Sequence, residues 1–300
     1  MKVAIQGFQG SFHEVAARQY FGAAPALSFC ATFGEVVAQV ADGRADAALM
    51  AMENSLAGSI LPNYLLLERN ALTITGEVYL PIHQHLLVLP GTTLADVRAV
   101  HSHPMALRQC GDFLSQYPTW QLVETEDTGL SAQLLAERQT PGLAVVAGAQ
   151  AAEAFGLEIL APAINDDPNN YTRFLVLARA AEAPPVAVPD KASLYFYTSH
   201  APGMLARVLT LVASHGLNLS KLQSCPRPSQ PWHYGFHADV EFATPQQLRN
   251  LLAELPTVTE ELRVLGAYQR GSMEFGEGVV AEGNPAERHA KRSEAFRVQQ

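Results

Sequence analysis

The chain has 300 residues, 48% of them hydrophobic and 16% charged, with a formal net charge of −9 at neutral pH. That composition excludes a disordered chain and, at roughly 150 residues per domain, suits two domains. The acidic balance argues against nucleic acid as a partner, because phosphate contacts need clustered Lys and Arg; an anionic ligand must be met locally, by placed arginines and helix N-termini.

Val3-Ala4-Ile5 predicts a strand, Gly7-Phe8-Gln9-Gly10-Ser11 a glycine-rich turn, and the following stretch a helix to Phe21. Ser11 with Glu14 is a capping-box pattern, so the turn ends at a helix N-terminus with free amides. Such a turn can hold an anion; without a third glycine in register, a plain tight turn carries the same pattern. A helix over 33–41 and a short buried strand over 47–50 follow. The strand leads to Glu53-Asn54-Ser55, then Gly58-Ser59 and an amphipathic helix to about Leu67. Segments 73–79 and 83–89 read as extended, and His83 and His85, like His101 and His103, lack a nearby third metal ligand. A strand over 97–100 exits into a helix starting at Pro104 and running to about Ser115, with Ser102 as its cap and Gln109 in its second turn. A strand over 122–124, a helix from the Glu126-Asp127-Thr128 cap to Arg138, a strand over 143–146 and a helix over 148–154 complete the alternation. Strands alternating with helices predict a mostly parallel, doubly wound α/β architecture.

Asn169-Asn170-Tyr171-Thr172-Arg173-Phe174 then precedes the apolar run 175–178. A hydroxyl beside a guanidinium at a strand end is where open α/β sheets put ligands, and Arg suits a carboxylate or phosphate. Pairing of Arg173 with Asp166 or Asp167 is the structural alternative. Residues 180–190 hold three prolines and no apolar period, which marks a linker. Beyond it the predicted order is βαββαβ, a ferredoxin-like domain over 191–270. The rest, 271–300, has little periodicity and reads as a mobile tail. Cys30, Cys110 and Cys225 are odd in number and far apart, which fits reduced thiols. No apolar run reaches the roughly 18 residues of a membrane span and the N-terminus lacks a signal-peptide pattern, so a cytoplasmic protein with no membrane association is expected.

Three segments taken together resemble prephenate dehydratase: Gly7-Phe8-Gln9-Gly10-Ser11-Phe12-His13-Glu14, Met52-Glu53-Asn54-Ser55 with Gly58-Ser59, and Asn170-Tyr171-Thr172-Arg173-Phe174. Residues 102–110 and Glu126-Asp127-Thr128 match the same family. So do Gly203-Met204-Leu205 and Gly216-Leu217-Asn218-Leu219, in a domain similar to the ACT regulatory type. The resemblance covers about 1–270. It implies a catalytic unit over 1–180 made of two α/β subdomains, 1–78 with 160–178 and 79–159, around a cleft, then a linker at 181–190 and an ACT domain. It further implies conversion of prephenate to phenylpyruvate, carbon dioxide and water in phenylalanine biosynthesis, without cofactor or metal.

Thr172 is the family's central catalytic residue and is expected to hydrogen-bond the leaving hydroxyl. Its hydroxyl is too weak an acid to act alone, so Glu53 and Glu126 are the candidate proton donors. Arg173 is expected to face a substrate carboxylate or to pair with an acidic neighbour. Asn54, Ser55, Ser11, Ser102 and Gln109 fit donors to carboxylates, and Phe174 is expected to pack beneath the site. Phenylalanine-binding members carry Glu-Ser-Arg-Pro where this chain has Gln223-Ser224-Cys225-Pro226, followed by Arg227. With Gly203, Met204, Leu205, Asn218 and Leu219 these form the expected regulatory site, where phenylalanine is the expected effector and the loss of the Glu and Arg charges is expected to weaken its inhibition. A homodimer or homotetramer is expected. Arogenate dehydratase is the alternative enzyme, and no residue read from sequence separates a ketone from an ammonium. A non-catalytic small-molecule sensor is the alternative of another class. A fusion with chorismate mutase or prephenate dehydrogenase is not expected from the length.

Overall fold

The computed structural model describes residues 1–272, apart from 24, 185, 228, 229 and 231. Most of the expected tail, 273–300, lies outside the described residues. The chain begins with β1 (Lys2–Gln6), α1 (Phe12–Phe21), β2 (Ala26–Cys30), α2 (Phe33–Ala41), β3 (Ala47–Asn54), the two-residue β4 (Gly58–Ser59), α3 (Leu61–Arg69) and β5 (Leu72–Pro81). It crosses to β6 (His85–Val88), β7 (Ala99–Ser102), α4 (Pro104–Arg108), α5 (Gly111–Leu114), β8 (Gln121–Glu124), α6 (Thr128–Arg138), β9 (Leu143–Ala147), α7 (Ala149–Phe155) and β10 (Glu158–Ala161). It then returns as β11 (Tyr171–Arg179).

These strands form two sheets, β2-β1-β3-β11-β5 with β4 on β3, and β10-β6-β9-β7-β8. Four strands of each run in one direction, as the alternation predicted, and β11 with the short β4, or β6, runs against them. In each, three parallel strands carry the helical crossovers, while β11 and β5, or β6 and β10, run antiparallel to their neighbours. The cause is the double crossing: the chain leaves and re-enters each lobe on adjacent strands. The crossing segments are bonded to each other, Ile82 N–H to Asn170 C=O at 2.7 Å and Ile164 N–H to Gln84 C=O at 2.8 Å. They make the floor between the lobes. The crossings lie at 82–84 and 162–170, so β5 and β10 each run past the predicted limits at 78 and 159.

Helix starts follow local chemistry. Ser11, Thr32 and Asp127 cap α1, α2 and α6 with side-chain acceptors. The predicted helix from Pro104 to Ser115 is two short helices, and its cap is His103, whose Nδ1 accepts from Met105 N–H at 3.2 Å, not Ser102. Gly58 and Ser59 pair back on β3 instead of opening a helix.

After residue 190 come β12 (Lys191–Tyr197), α8 (Met204–Ser214), β13 (Asn218–Pro226), β14 (Tyr234–Glu241), α9 (Pro245–Glu254) and β15 (Glu261–Tyr268), in antiparallel sheet order β13-β14-β12-β15. This is the predicted βαββαβ arrangement. One face of the sheet carries α8 and α9 over a core that includes Leu194, Phe196, Val208, Val240 and Leu251. The other packs Tyr195, Tyr197, Leu265 and Tyr268 against Leu67, Leu72, Ile74, Leu175 and Leu177 of the first lobe. β12 is consequently buried along its whole length.

Candidate active site

β11 alternates between two cores. Phe174 and Val176 pack with the first lobe's α1 side, whereas Leu175 and Leu177 pack toward the C-terminal sheet. Thr172 therefore shares the face of Phe174, and Arg173 points the other way. On β3 a bulge intervenes: Phe174 pairs with Ala51 but Arg173 with Glu53, leaving Met52 as the extra residue. The bulge turns Glu53 to the side of Arg173 and Asn54 to the side of Thr172.

Thr172, Asn54 and Phe174 line a cleft of about 430 Å³ between the two lobes. Asn54 Nδ2 is shared among Thr172 Oγ1 (3.1 Å), Asn170 Oδ1 (2.6 Å) and the Tyr171 carbonyl (3.1 Å). Its Oδ1 accepts from Leu56 and Ala57 N–H at 3.1 and 2.9 Å. Asn170, fully buried, donates to Gln109 Oε1 at 3.0 Å. Because Thr172 Oγ1 accepts from Asn54, its own proton is free to be donated outward. Asn54 and Gln109 thus hold Thr172 as much as they face a ligand.

The other predicted residues divide. Ser11 lies at the wall, 2% exposed, as the α1 cap. Glu126 is exposed at the cleft margin and Phe174 lies at its base, in edge contact with His13 at 5.0 Å. Ser102 is fully buried and donates to the Val146 carbonyl at 2.6 Å, so it is a sheet strut and no substrate donor. Ser55 is also committed to backbone, donating to Asn169 C=O at 3.0 Å and accepting from Tyr171 N–H at 2.9 Å. Glu53 pairs with Lys221 of β13 at 2.5 Å, away from the cleft, which removes it as a proton donor there. Arg173, 5% exposed, pairs with Glu77 at 2.7 Å and Asp239 at 2.5 Å, and donates to Tyr268 Oη at 3.1 Å. It does not line the cleft and pairs with neither Asp166 nor Asp167; Asp166 instead accepts from Gly111 and Asp112 N–H.

Among the described residues no Lys or Arg lines the cleft. Positive potential comes from helix N-termini, α1 from one lobe and α6 from the other. The glycine-rich turn serves lobe contact: a Cβ at Gly10 would lie 2.8 Å from Ala151 Cα, and one at Gly129 would lie 2.8 Å from the Gln9 carbonyl.

Sequence reasoning missed four cleft residues. Asp127 caps α6 through Leu130 N–H at 3.0 Å, and burial pushes its carboxyl above the usual range. His13 is held neutral by burial, its pKa lowered to about 3. His103 lines the wall. Gln84, 3% exposed, has a buried Oε1 without a partner among the described residues. The ladder bonds of 82–84 give no sequence signal, but the capping motif of Asp127 was readable. A larger hollow of about 820 Å³ lies by Tyr20, Tyr79 and Arg270, away from Thr172.

At the predicted regulatory positions, Gly203 (φ 82°) opens α8, whose first residues are Met204 and Leu205. Asn218 donates to Glu241 at 3.2 Å beside Leu219 on β13, and Gln223 Nε2 binds the carbonyl of Ser224 at 2.9 Å. Arg227 lies 4.0 Å from the Tyr197 ring centre and pairs with Glu260 at 3.3 Å.

Two α/β lobes closing on a held threonine hydroxyl, with a βαββαβ sheet buried behind the first, define a two-lobed α/β enzyme of small polar molecules. The prephenate dehydratase family model matches residues 3–182. The bifunctional chorismate mutase/prephenate dehydratase of Escherichia coli (strain K12) is 34% identical over 273 residues, 89% of this chain and 70% of that protein. Arogenate dehydratase 5, chloroplastic, of Arabidopsis thaliana is 37% identical over 286 residues, 89% and 67% of the two chains. Among solved structures, prephenate dehydratase from Arthrobacter aurescens in complex with L-Phe superposes with TM-score 0.80 at 28% identity, covering 99% of this chain and 100% of that one. GqqA, described as a novel type of quorum quenching acylase, has TM-score 0.81 at 34% identity, covering 90% and 98%. The chain belongs to the prephenate dehydratase family, and its reaction class is a decarboxylating dehydration.

Proposed function

We propose that the cleft converts prephenate to phenylpyruvate with Thr172 as the residue that hydrogen-bonds the leaving hydroxyl. The observation that carries this is the bond from Asn54 Nδ2 to Thr172 Oγ1, which turns the threonine proton outward. Aromatisation of the ring drives loss of carbon dioxide and hydroxide, so the protein has to orient the dianion, assist the leaving oxygen and solvate the departing carboxylate poorly. That no Lys or Arg among the described residues lines the cleft supports the last requirement, since none of these neutralises the carboxylate that leaves. The retained carboxylate is met by the helix N-termini of α1 and α6. Asp127 supplies the proton, because burial favours its neutral form; Glu126 flanks it at the margin. Turnover then falls as pH rises through the Asp127 pKa. Asp127→Asn removes that limb of the pH profile, and a variant that kept it would return the role to Glu126.

Residues 1–180 form the catalytic unit in this reading, 181–190 the linker and 191–270 an ACT domain that binds an aromatic amino acid. The phenylalanine in the Arthrobacter aurescens complex supports L-phenylalanine as effector. Three buried free cysteines support a reducing, cytoplasmic setting. A symmetric dimer or tetramer is the expected assembly. The direct test measures product absorbance from prephenate and from arogenate with the purified protein. Product from neither would overturn the reading in favour of a sensor.

A further inference from the structure

Gln84 sits in the first crossing between the lobes, two residues after Ile82, and its backbone is fixed from both sides. Its N–H donates to Asn165 Oδ1 at 3.2 Å and its C=O accepts from Ile164 N–H. The side chain is 3% exposed, lines the cleft with Thr172 and Phe174, and holds a buried carbonyl oxygen with no hydrogen-bond partner among the described residues. A buried amide oxygen left unpaired costs about 1–3 kcal/mol, so it is most readily explained by a ligand that completes it.

The chemistry of the substrate narrows which group that is. The ring hydroxyl goes to Thr172, on the reading proposed above. The three-carbon arm leaves the opposite end of the ring, so it extends away from Thr172. An acceptor oxygen has the wrong sign for either carboxylate. It is complementary to an ammonium, and a half-turn of the same amide presents its NH₂ group to a ketone instead. Those two groups are what separate the amino and keto forms of this substrate.

We propose that Gln84 is a specificity-determining residue that reads the α-position of the substrate's three-carbon arm, accepting from an ammonium or donating to a ketone. The inference rests on the dehydratase reading but is separable from it. One neutral amide serves both forms, so the wild-type enzyme accepts both prephenate and arogenate. Gln84→Glu places a carboxylate there and shifts the ratio of kcat/KM values toward arogenate by at least tenfold. Gln84→Met keeps the shape but removes both hydrogen-bonding ends, and raises KM for both substrates about tenfold with kcat within threefold, because the arm does not react. Circular dichroism and thermal midpoints establish that each variant is folded, and the Met variant stands if the Glu variant is not. An unchanged KM in Gln84→Met, or an unchanged ratio in a folded Gln84→Glu, overturns the assignment. Wild-type inactivity on both substrates overturns the dehydratase reading itself, and the proposal for Gln84 falls with it.

Discussion

In the proposed reaction Thr172 works through what is done to its oxygen. A bond accepted from Asn54, which is itself held by Asn170 and the Leu56–Ala57 turn amides, fixes the direction in which the hydroxyl donates. Loss of one such preorganised donor costs about 10²–10³-fold in turnover. Thr172→Ala is accordingly expected to lose at least that much while its thermal midpoint stays near wild type, and near-normal turnover would remove Thr172 from the mechanism. Glu53 makes the opposite case. It pairs behind the strand with Lys221, which also donates to Ser59, so Glu53→Gln is expected to retain most of its turnover in the same assay. A loss as deep as that of Thr172→Ala would return Glu53 to the proton-donor role.

At the scale of elements, β11 is the member that carries both site and scaffold. Thr172 and Phe174 face the cleft, whereas Arg173, Leu175 and Leu177 face the C-terminal sheet. Arg173, Glu77, Lys191, Asp239, Ser193 and Tyr268 form one buried network, joined by Lys191 to Glu77 at 3.0 Å and Ser193 to Asp239 at 2.5 Å. Removing one partner of a buried ion pair costs about 3–5 kcal/mol. Arg173→Met should therefore lower stability by that order in denaturant titration; a loss below about 1 kcal/mol would show the network to be dispensable. The contact between lobes has its own test. A methyl group at Gly129 meets the Gln9 carbonyl, so Gly129→Ala should prop the lobes apart and lower kcat/KM about tenfold, an expectation ended by wild-type kinetics. The glycines of 7–10 and 129 thus form a bearing surface between the lobes.

For the whole molecule, pH acts through histidines buried in the neutral form. Burial lowers His13 to about 3, and His237, beside Asp239 and Arg263, to about 4, against an ordinary 6.5. The folded state binds their protons more weakly than the unfolded chain, so their neutral forms cost nothing above pH 6.5 and stability is lost as pH falls from 6.5 toward 4. Thermal midpoints measured from pH 7.5 to 4.5 should fall over that window, and His237→Gln should flatten the slope. A midpoint flat to pH 4.5 would contradict the burial of both rings. The α/β lobes and the βαββαβ order were legible because each rests on local periodicity and capping residues. So were Thr172, Phe174, Ser11 and the capping of α6, which are matters of a few adjacent residues. The direction of Arg173 was half legible, since strict alternation already sends it away from Thr172 and Phe174. Glu53, Ser102 and Gln84 were not. A single bulged residue at Met52 turns Glu53 out of the cleft, a carbonyl 44 residues away takes the hydroxyl of Ser102, and a crossing between lobes brings Gln84 in. The sequence alone determined most of the elements, because periodicity and capping are local. Only the tertiary structure decided which residues face the cleft, because facing depends on register and on partners distant in the chain.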